Sequence, residues 1–245
     1  MTVDGSPHLL SIWGSSGRDV FVVGDEGVIV HYDGQSWKNM HSGTTKNLIA
    51  VWGASGRDVF AVGYAGTVLH YDGTGWRPMA SGTIEDLYGV WGSSPSHVVA
   101  VGGTPMPMPG KGLIVCYDGK RWSPMAAPAS PFLFAAWGTS AEDVHAVGVD
   151  LATLRWDGKV WRPTPVNLPR VQGAINGLTR LWGSGPDDIY AAGFKGALAH
   201  FDGNRWTPVS TGTDEQLGAV IAFSPNDVFV VGGGGIILRY SPAGR

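Results

Sequence analysis

The sequence predicts an all-β fold, a single six-bladed β-propeller over residues 1–245 built from four-stranded antiparallel blades, the last one incomplete. Three observations carry that expectation. Trp-Gly recurs at Trp13, Trp52, Trp91, Trp137 and Trp182, with Ile221 in the sixth equivalent place, at steps of 39, 39, 46, 45 and 39 residues. Asp-Gly-x-x-Trp recurs from Asp33 to Trp37, Asp72 to Trp76, Asp118 to Trp122, Asp157 to Trp161 and Asp202 to Trp206. Between the markers lies a short apolar stretch ending in glycine, "DVFVVG" at 19–24 and "DVFAVG" at 58–63. A period near 40 residues is the size of one propeller blade.

The second repeat shows how each element is read. "NLIAVWG" (47–53) is short, apolar and β-favouring, and "SGRD" (55–58) is a turn cluster. "DVFAVG" follows, then a glycine turn, then "TVLHYDG" (67–73) and "GWRPM" (75–79). These are strands A, B, C and D, and no segment keeps a helical period over a useful length. Stacking such sheets into a ring covers their faces and leaves only short edges. The sixth repeat ends in "ILRYSPAGR" without a D strand, and Met1 aligns with Met79 at the end of one. The last blade is therefore expected to have three strands plus at most a short N-terminal strand around Thr2 and Val3.

Composition excludes several classes. The chain holds 38 glycines and 11 tryptophans with only 15% charged residues, which fits many tight turns around an aromatic core rather than disorder. A net charge of -3 gives no electrostatic case for nucleic acid or an anionic membrane. No apolar run reaches membrane-spanning length. The lone Cys116 excludes an intramolecular disulfide framework and a cysteine-rich zinc site. "MTVDGSPHLL" lacks the basic start and apolar core of a signal peptide. The expectation is a monomer that stays where it is made, or one exported after loss of a leader.

Most repeated letters have structural readings. The Trp-Gly tryptophans end the inner strand and pack between blades, and the second tryptophan set does the same farther out. Asp-Gly marks the C-to-D hairpin, where Asp accepts backbone N–H bonds and Gly takes a positive φ. Asp19, Asp58, Asp143, Asp188 and Asp227 are read as caps of the A-to-B turns. His31, His70 and His200 share a C-strand position held elsewhere by Cys116, Arg155 and Arg239. Positions spread around a ring cannot converge on one ion, so no metal and no cofactor are expected.

On these motifs the chain resembles bacterial β-propeller proteins with Trp-Gly, Asp-Val-x-x-Val-Gly and Asp-Gly-x-x-Trp repeats. They are similar in turn to the Asp-box propellers of sialidases and photosynthetic assembly factors. The resemblance runs from Leu9 to Tyr240 and implies the architecture. "HYDGQSW" is one residue shorter between Asp and Trp than the usual Asp-box, and no sialidase catalytic set maps onto the sequence. No catalytic residue is carried over.

Departures from the repeat point to the site. Seven extra residues follow Gly102 in the B-to-C connection "GTPMPMPGKG", and six more lie in the D-to-A connection "TPVNLPRVQGAINGL". In an up-and-down blade both connections lie at the same end, and long loops on a rigid scaffold are where binding concentrates. The candidate ligand-binding residues there are Tyr64, Glu85, Phe132, Arg170, Asn176, Phe194 and Lys195. Arg180 joins them because the other five units carry Ser11, Ala50, Gly89, Ala135 and Ala219 in its place.

Three functions compete. The first is a non-catalytic recognition or scaffold module for a protein, peptide or glycan on the loop-rich end. Loop residues that differ between blades favour one asymmetric site over a multivalent lectin, the second reading. The third is an enzyme, hydrolase- or lyase-like, at the mouth of the central channel. The chain has no Gly-x-Ser-x-Gly elbow, His-Glu-x-x-His or phosphate-binding glycine loop.

Overall fold

A computed structural model describes residues 7–224 and 227–240. The strand expected around Thr2 and Val3 lies outside the described residues. The chain divides into two compact units, residues 1–104 with 113–125, and residues 105–112 with 126–245.

The first unit carries three antiparallel sheets, each in the order A-B-C-D. Blade 1 comprises Leu9–Ser16, Asp19–Gly24, Ile29–Tyr32 and Trp37–Met40. Blade 2 comprises Leu48–Ser55, Asp58–Gly63, Val68–Tyr71 and Trp76–Met79, and blade 3 Asp86–Ser94, His97–Thr104, Lys111–Tyr117 and Trp122–Pro124. The second unit holds blade 4 (Leu133–Ser140, Asp143–Gly148, Thr153–Trp156, Trp161–Pro163) and blade 5 (Leu178–Gly185, Asp188–Gly193, Leu198–Phe201, Trp206–Pro208). Blade 6 has three strands, Leu217–Ser224, Asp227–Gly232 and Ile237–Tyr240.

The two-residue period of a strand gives each blade two apolar faces. Phe21, Val23 and Ile29 of blade 1 form a forward face, packed on Val51, Val59, Ala61, Leu69 and Trp76 of blade 2. Phe60, Val62 and Val68 repeat that forward face against Val90, Val98, Ala100, Val115 and Trp122. The second unit packs blade 4 on blade 5 and blade 5 on blade 6 in the same sense. Three forward aromatic rings present an edge to the D-strand tryptophan of the following blade. Phe21 and Trp76 are 6.0 Å apart at 81°, Phe60 and Trp122 6.0 Å at 76°, and His145 and Trp206 6.1 Å at 82°.

Both letters of Trp-Gly now have a cause. A Cβ on Gly53 would fall 2.6 Å from two ring atoms of Trp13, and one on Gly92 2.5 Å from Trp52. Gly183 holds the same place under Trp137. The tryptophan of one blade is seated on the glycine of the next. The glycine that ends strand B meets backbone instead: a Cβ on Gly63 would lie 1.9 Å from the Asn47 carbonyl oxygen.

The Asp-Gly hairpins form as the sequence predicts. Asp33 Oδ1 accepts the N–H groups of Gln35 and Ser36 at 3.0 and 2.8 Å, and Gly34 has φ 89°. Asp72 and Asp157 do the same, and these exposed carboxyls are held down to about 2. For Asp72 the causes are the Thr74 hydroxyl and then the N–H groups of Thr74 and Gly75; for Asp157, the N–H groups of Val160 and Lys159 and then Arg162. The B-to-C turns are short 3-10 turns, Asp25–Gly27, Tyr64–Gly66, Phe194–Gly196 and Gly233–Gly235. Their middle residue is left-handed even where it is not glycine, as at Ala65 (φ 53°) and Lys195 (φ 54°).

Candidate functional site

The most repeated polar arrangement corrects one expectation. Asp19, Asp58, Asp143, Asp188 and Asp227 do not cap the A-to-B turns; the backbone N–H of Arg18, Arg57 and Glu142 is taken by Ser16, Ser55 and Ser140 instead. These aspartates reach across the sheet to strand C. Asp19 Oδ1 bonds His31 Nε2 at 2.6 Å, Asp58 bonds His70 at 2.8 Å, and Asp188 bonds His200 at 2.9 Å. Arg155 and Arg239 replace the histidine toward Asp143 and Asp227, both at 2.7 Å. The other carboxylate oxygen accepts a strand-A hydroxyl, from Ser15, Thr139 or Ser184. Blade 3 loses both members at once: His97 stands for the aspartate and Cys116 for the histidine.

Ser, Asp and His together suggest nucleophilic catalysis, but the order of bonding is wrong for it. A serine nucleophile needs the imidazole as its direct base, with the carboxylate behind the imidazole. In blades 1 and 5 the carboxylate lies between hydroxyl and imidazole, so no base contacts the serine. The bracket ties strands A, B and C together. The His31, His70 and His200 rings stack on Phe21, Phe60 and Tyr190 at 4.2 to 4.5 Å. The Cys116 thiol is no activated nucleophile either, since burial, with Asp118 adding to it, pushes it up to about 11. Among the described residues no group of three or more His, Cys, Asp or Glu is placed to hold a metal ion.

Residues 105–112 of the first insertion and all of the second belong to the second unit, where they meet. Met108 and Pro109 of the first insertion and Gly173–Asn176 of the second line one depression of about 490 Å³, floored by Val149 and Asp150. The first insertion is tied down by a bond from Phe132 N–H to Pro109 O at 3.1 Å, and the second by Asp150 N–H to Asn176 O at 2.8 Å. A second depression of about 510 Å³ adjoins it, lined by Leu168, Val171, Asn176, Phe194, Lys195, Val209 and Asp214 among others. The segment 168–176 is a ridge between the two hollows. Asn176 shapes that ridge: its Oδ1 accepts Val171 N–H at 2.8 Å, and its Nδ2 donates to the Val171 and Ala174 carbonyls. Arg170 lies on the ridge and pairs with Asp150 through both carboxylate and carbonyl.

The eight expected site residues therefore separate. Asn176, Phe194 and Lys195 line one hollow, and Arg170 stands beside it. Phe132 departs from its exposed role: it is 1% exposed, packed edge-on against Phe134 at 5.1 Å under the first insertion. Phe134, which the sequence did not single out, links that core to Phe194 at 5.9 Å. Tyr64 and Glu85 belong to the first unit, where Tyr88 OH donates to Tyr64 OH at 3.3 Å and Thr104 Oγ1 donates to Glu85 at 2.6 Å. Arg180 lies on the inner strand of blade 5 and donates to its neighbour's carbonyl, Thr179 O, at 2.8 Å. It keeps exposed surface, yet the protein around its head desolvates the guanidinium and lowers its pKa. No acid pairs with it among the described residues.

No protein-family model matches the chain, and no curated protein matches it. Solved structures do. The structure of YCF48 bound to D1 peptide is 18% identical with a TM-score of 0.68, the match covering 100% of this chain and 82% of that one. The WD40 repeats of RRP9 are 8% identical with a TM-score of 0.73, covering 99% and 83%. The C-terminal WD40 domain of Sif2 is 13% identical with a TM-score of 0.68, covering 98% and 69%. At these identities the likeness is one of fold: the chain is an all-β, WD40-like six-bladed propeller whose last blade has three strands.

Proposed function

We propose that the chain is a non-catalytic recognition module that takes an extended peptide segment of a partner protein across the ridge 168–176. The observation that carries this reading is the meeting of the two insertions in one hollow of the second unit, with a second hollow adjoining it across the later insertion. The second hollow sets the aliphatic Leu168, Val171 and Val209 beside Phe194, with the Lys195 ammonium exposed among them. That chemistry suits an apolar peptide side chain with an acidic neighbour, an anchor in a pocket ringed by polar groups. The similar YCF48 structure is bound to a peptide, which supports this reading. A peptide is preferred to a glycan because the B-to-C turns differ from blade to blade, reading DEG, YAG, FKG and GGG. A lectin would repeat its contacts.

The test is selection from a phage-displayed random peptide library, run beside a glycan array. Affinity for a selected peptide is then measured on Phe194→Ala, Lys195→Glu and a chain with residues 103–109 cut to a short turn. Loss of about tenfold or more in each, with Gln35→Ala unchanged, supports the reading. Unchanged affinity in all three variants, or binding to glycans alone, refutes it.

A further inference from the structure

The B-to-C turn of blade 4 breaks a rule that the other short B-to-C turns keep. Its backbone bonds are the usual ones. Gly148 N–H donates to Ala152 O and Ala152 N–H to Val149 O, as Gly63 does to Thr67 and Thr67 to Tyr64. The third turn position is glycine in four blades, Gly27, Gly66, Gly196 and Gly235, with φ from 66° to 77°. In blade 4 it is Leu151 at φ 59°, directly after Asp150 at φ 57°. A left-handed leucine carries backbone strain that glycine would relieve.

The other turns need glycine because a D-to-A connection closes over them. A Cβ on Gly27, Gly66 or Gly196 would fall 2.2, 2.1 or 1.8 Å from the carbonyl oxygen of Thr44, Thr83 or Thr213. After blade 4 that connection is six residues longer, and the turn carries a side chain. Leu151 is 7% exposed and belongs to the apolar cluster of blades 4 and 5, against which Val166 and Leu168 of the long connection pack. The longer connection and the left-handed leucine are one coupled departure from the repeat. The sheet does not require it, since four blades make the same turn with glycine. Strain of this kind persists where it serves a site.

What the departure produces is the lining of the two hollows. Leu151 lines the second with Leu168, Phe194 and Val209, while Asp150, one residue earlier, lines the first. Asp150 also holds the ridge between them, donating its N–H to Asn176 O at 2.8 Å and accepting Arg170 Nη2 at its carbonyl at 3.1 Å. One turn gives a side chain to each hollow and its backbone to the ridge.

We propose that Leu151 is the specificity-determining residue of the second hollow, the surface on which the apolar side chain of the peptide comes to rest. Given the peptide-binding role proposed above, on which this inference rests, Leu151 sets the size of the anchor that is accepted. Glycine in its place deepens the hollow, and a change of that size in an apolar pocket alters selectivity by about tenfold or more.

The experiment selects phage-displayed random peptides in parallel on the wild type, Leu151→Gly and Leu151→Asn. Asparagine is close to leucine in size and tolerates the left-handed backbone, so it changes the polarity of the lining and keeps the turn. Circular dichroism and melting temperature check that each variant folds. Leu151→Gly is expected to bind the wild-type peptide about tenfold or more weakly, and to recover affinity for a peptide with a larger apolar anchor that does not improve binding to the wild type. Leu151→Asn is expected to lose the apolar anchor while keeping the acidic neighbour drawn by Lys195, and it decides alone if Leu151→Gly does not fold. A peptide that needs Phe194 and Lys195 yet binds the Leu151 variants with unchanged affinity and anchor overturns this inference and leaves the peptide reading standing. Absence of any peptide for the wild type overturns both.

Discussion

Seating a tryptophan on a glycine predicts a coupling that can be measured directly. The three heavy atoms nearest a Cβ built on Gly53 all belong to the Trp13 ring, at 2.6, 2.6 and 2.9 Å. Gly53→Ala therefore drives a methyl group nearly 1 Å inside ordinary contact with one side chain and no backbone. Overpacking of this size costs about 1–3 kcal/mol. Trp13 is half-buried and packs on the core shared by blades 1 and 2, so Trp13→Ala should cost about 3 kcal/mol, the low end for a large aromatic. In the double variant the methyl group enters the space that the ring has left. Its cost should fall short of the sum of the single costs by at least about 1 kcal/mol, a coupling well above the scatter of independent sites. The assay is urea denaturation of the four proteins, followed by fluorescence of the remaining tryptophans. Costs that add to within about 0.5 kcal/mol would refute the argument that the ring is why this position is glycine.

Further outcomes follow from the same geometry. Gly63→Ala sets a Cβ 1.9 Å from the Asn47 carbonyl oxygen, which also accepts Tyr64 N–H at 3.1 Å, so a loss of about 3 kcal/mol is expected. Gly75→Ala meets nothing within 4 Å and should be neutral or stabilise by about 0.5 kcal/mol; equal melting temperatures for the two variants would contradict this reading. Burial pushes the Asp143 carboxyl up, but His145, Thr139 and Arg155 together outweigh it and hold it well below the usual carboxylate range. Because the folded value lies below the unfolded one, this stability is present above about pH 4 and is lost as pH falls toward the folded pKa. Thermal melts from pH 7 to 2 should show a flat region and then an acid fall, and Asp143→Asn should weaken both neutral stability and that fall. An acid limb unchanged in Asp143→Asn would remove this carboxylate as a cause.

The sequence carried the blade architecture well because the repeated letters report contacts between neighbouring repeats. Trp-Gly recurs because ring and glycine touch across blades, and Asp-Gly-x-x-Trp because a two-residue hairpin needs its acceptor and its positive φ. The polar bracket from Asp19 to His31 was missed because its members lie 12 residues apart on different strands, each with a plausible local role. A signal was present: where blade 3 loses the aspartate, to His97, it also loses the histidine, to Cys116. Phe132 was misjudged because loop length says where a segment runs and not which side chain turns inward. Arg170 and Asn176 lie in the long D-to-A connection of the second unit. That their polar groups are spent on Asp150 and on the ridge itself is tertiary information no spacing contains.

The pairing of ring and glycine also has a direction. Blade 2 offers a plug on one side, Trp52, and a socket on the other, Gly53, so such a blade can be exchanged or duplicated only in one orientation and only as a whole unit. A gene assembled from copies of repeat 2 should give stacking blades, since "AVWGAS" contains both Trp52 and Gly53. Blade 6 breaks the rule, with Ile221 and Ala222 where the others have Trp and Gly. It keeps the socket side, where Trp182 packs on the cluster that holds the buried Ala222, and presents an isoleucine where the other blades present a plug, so the grammar of the array tolerates a changed letter.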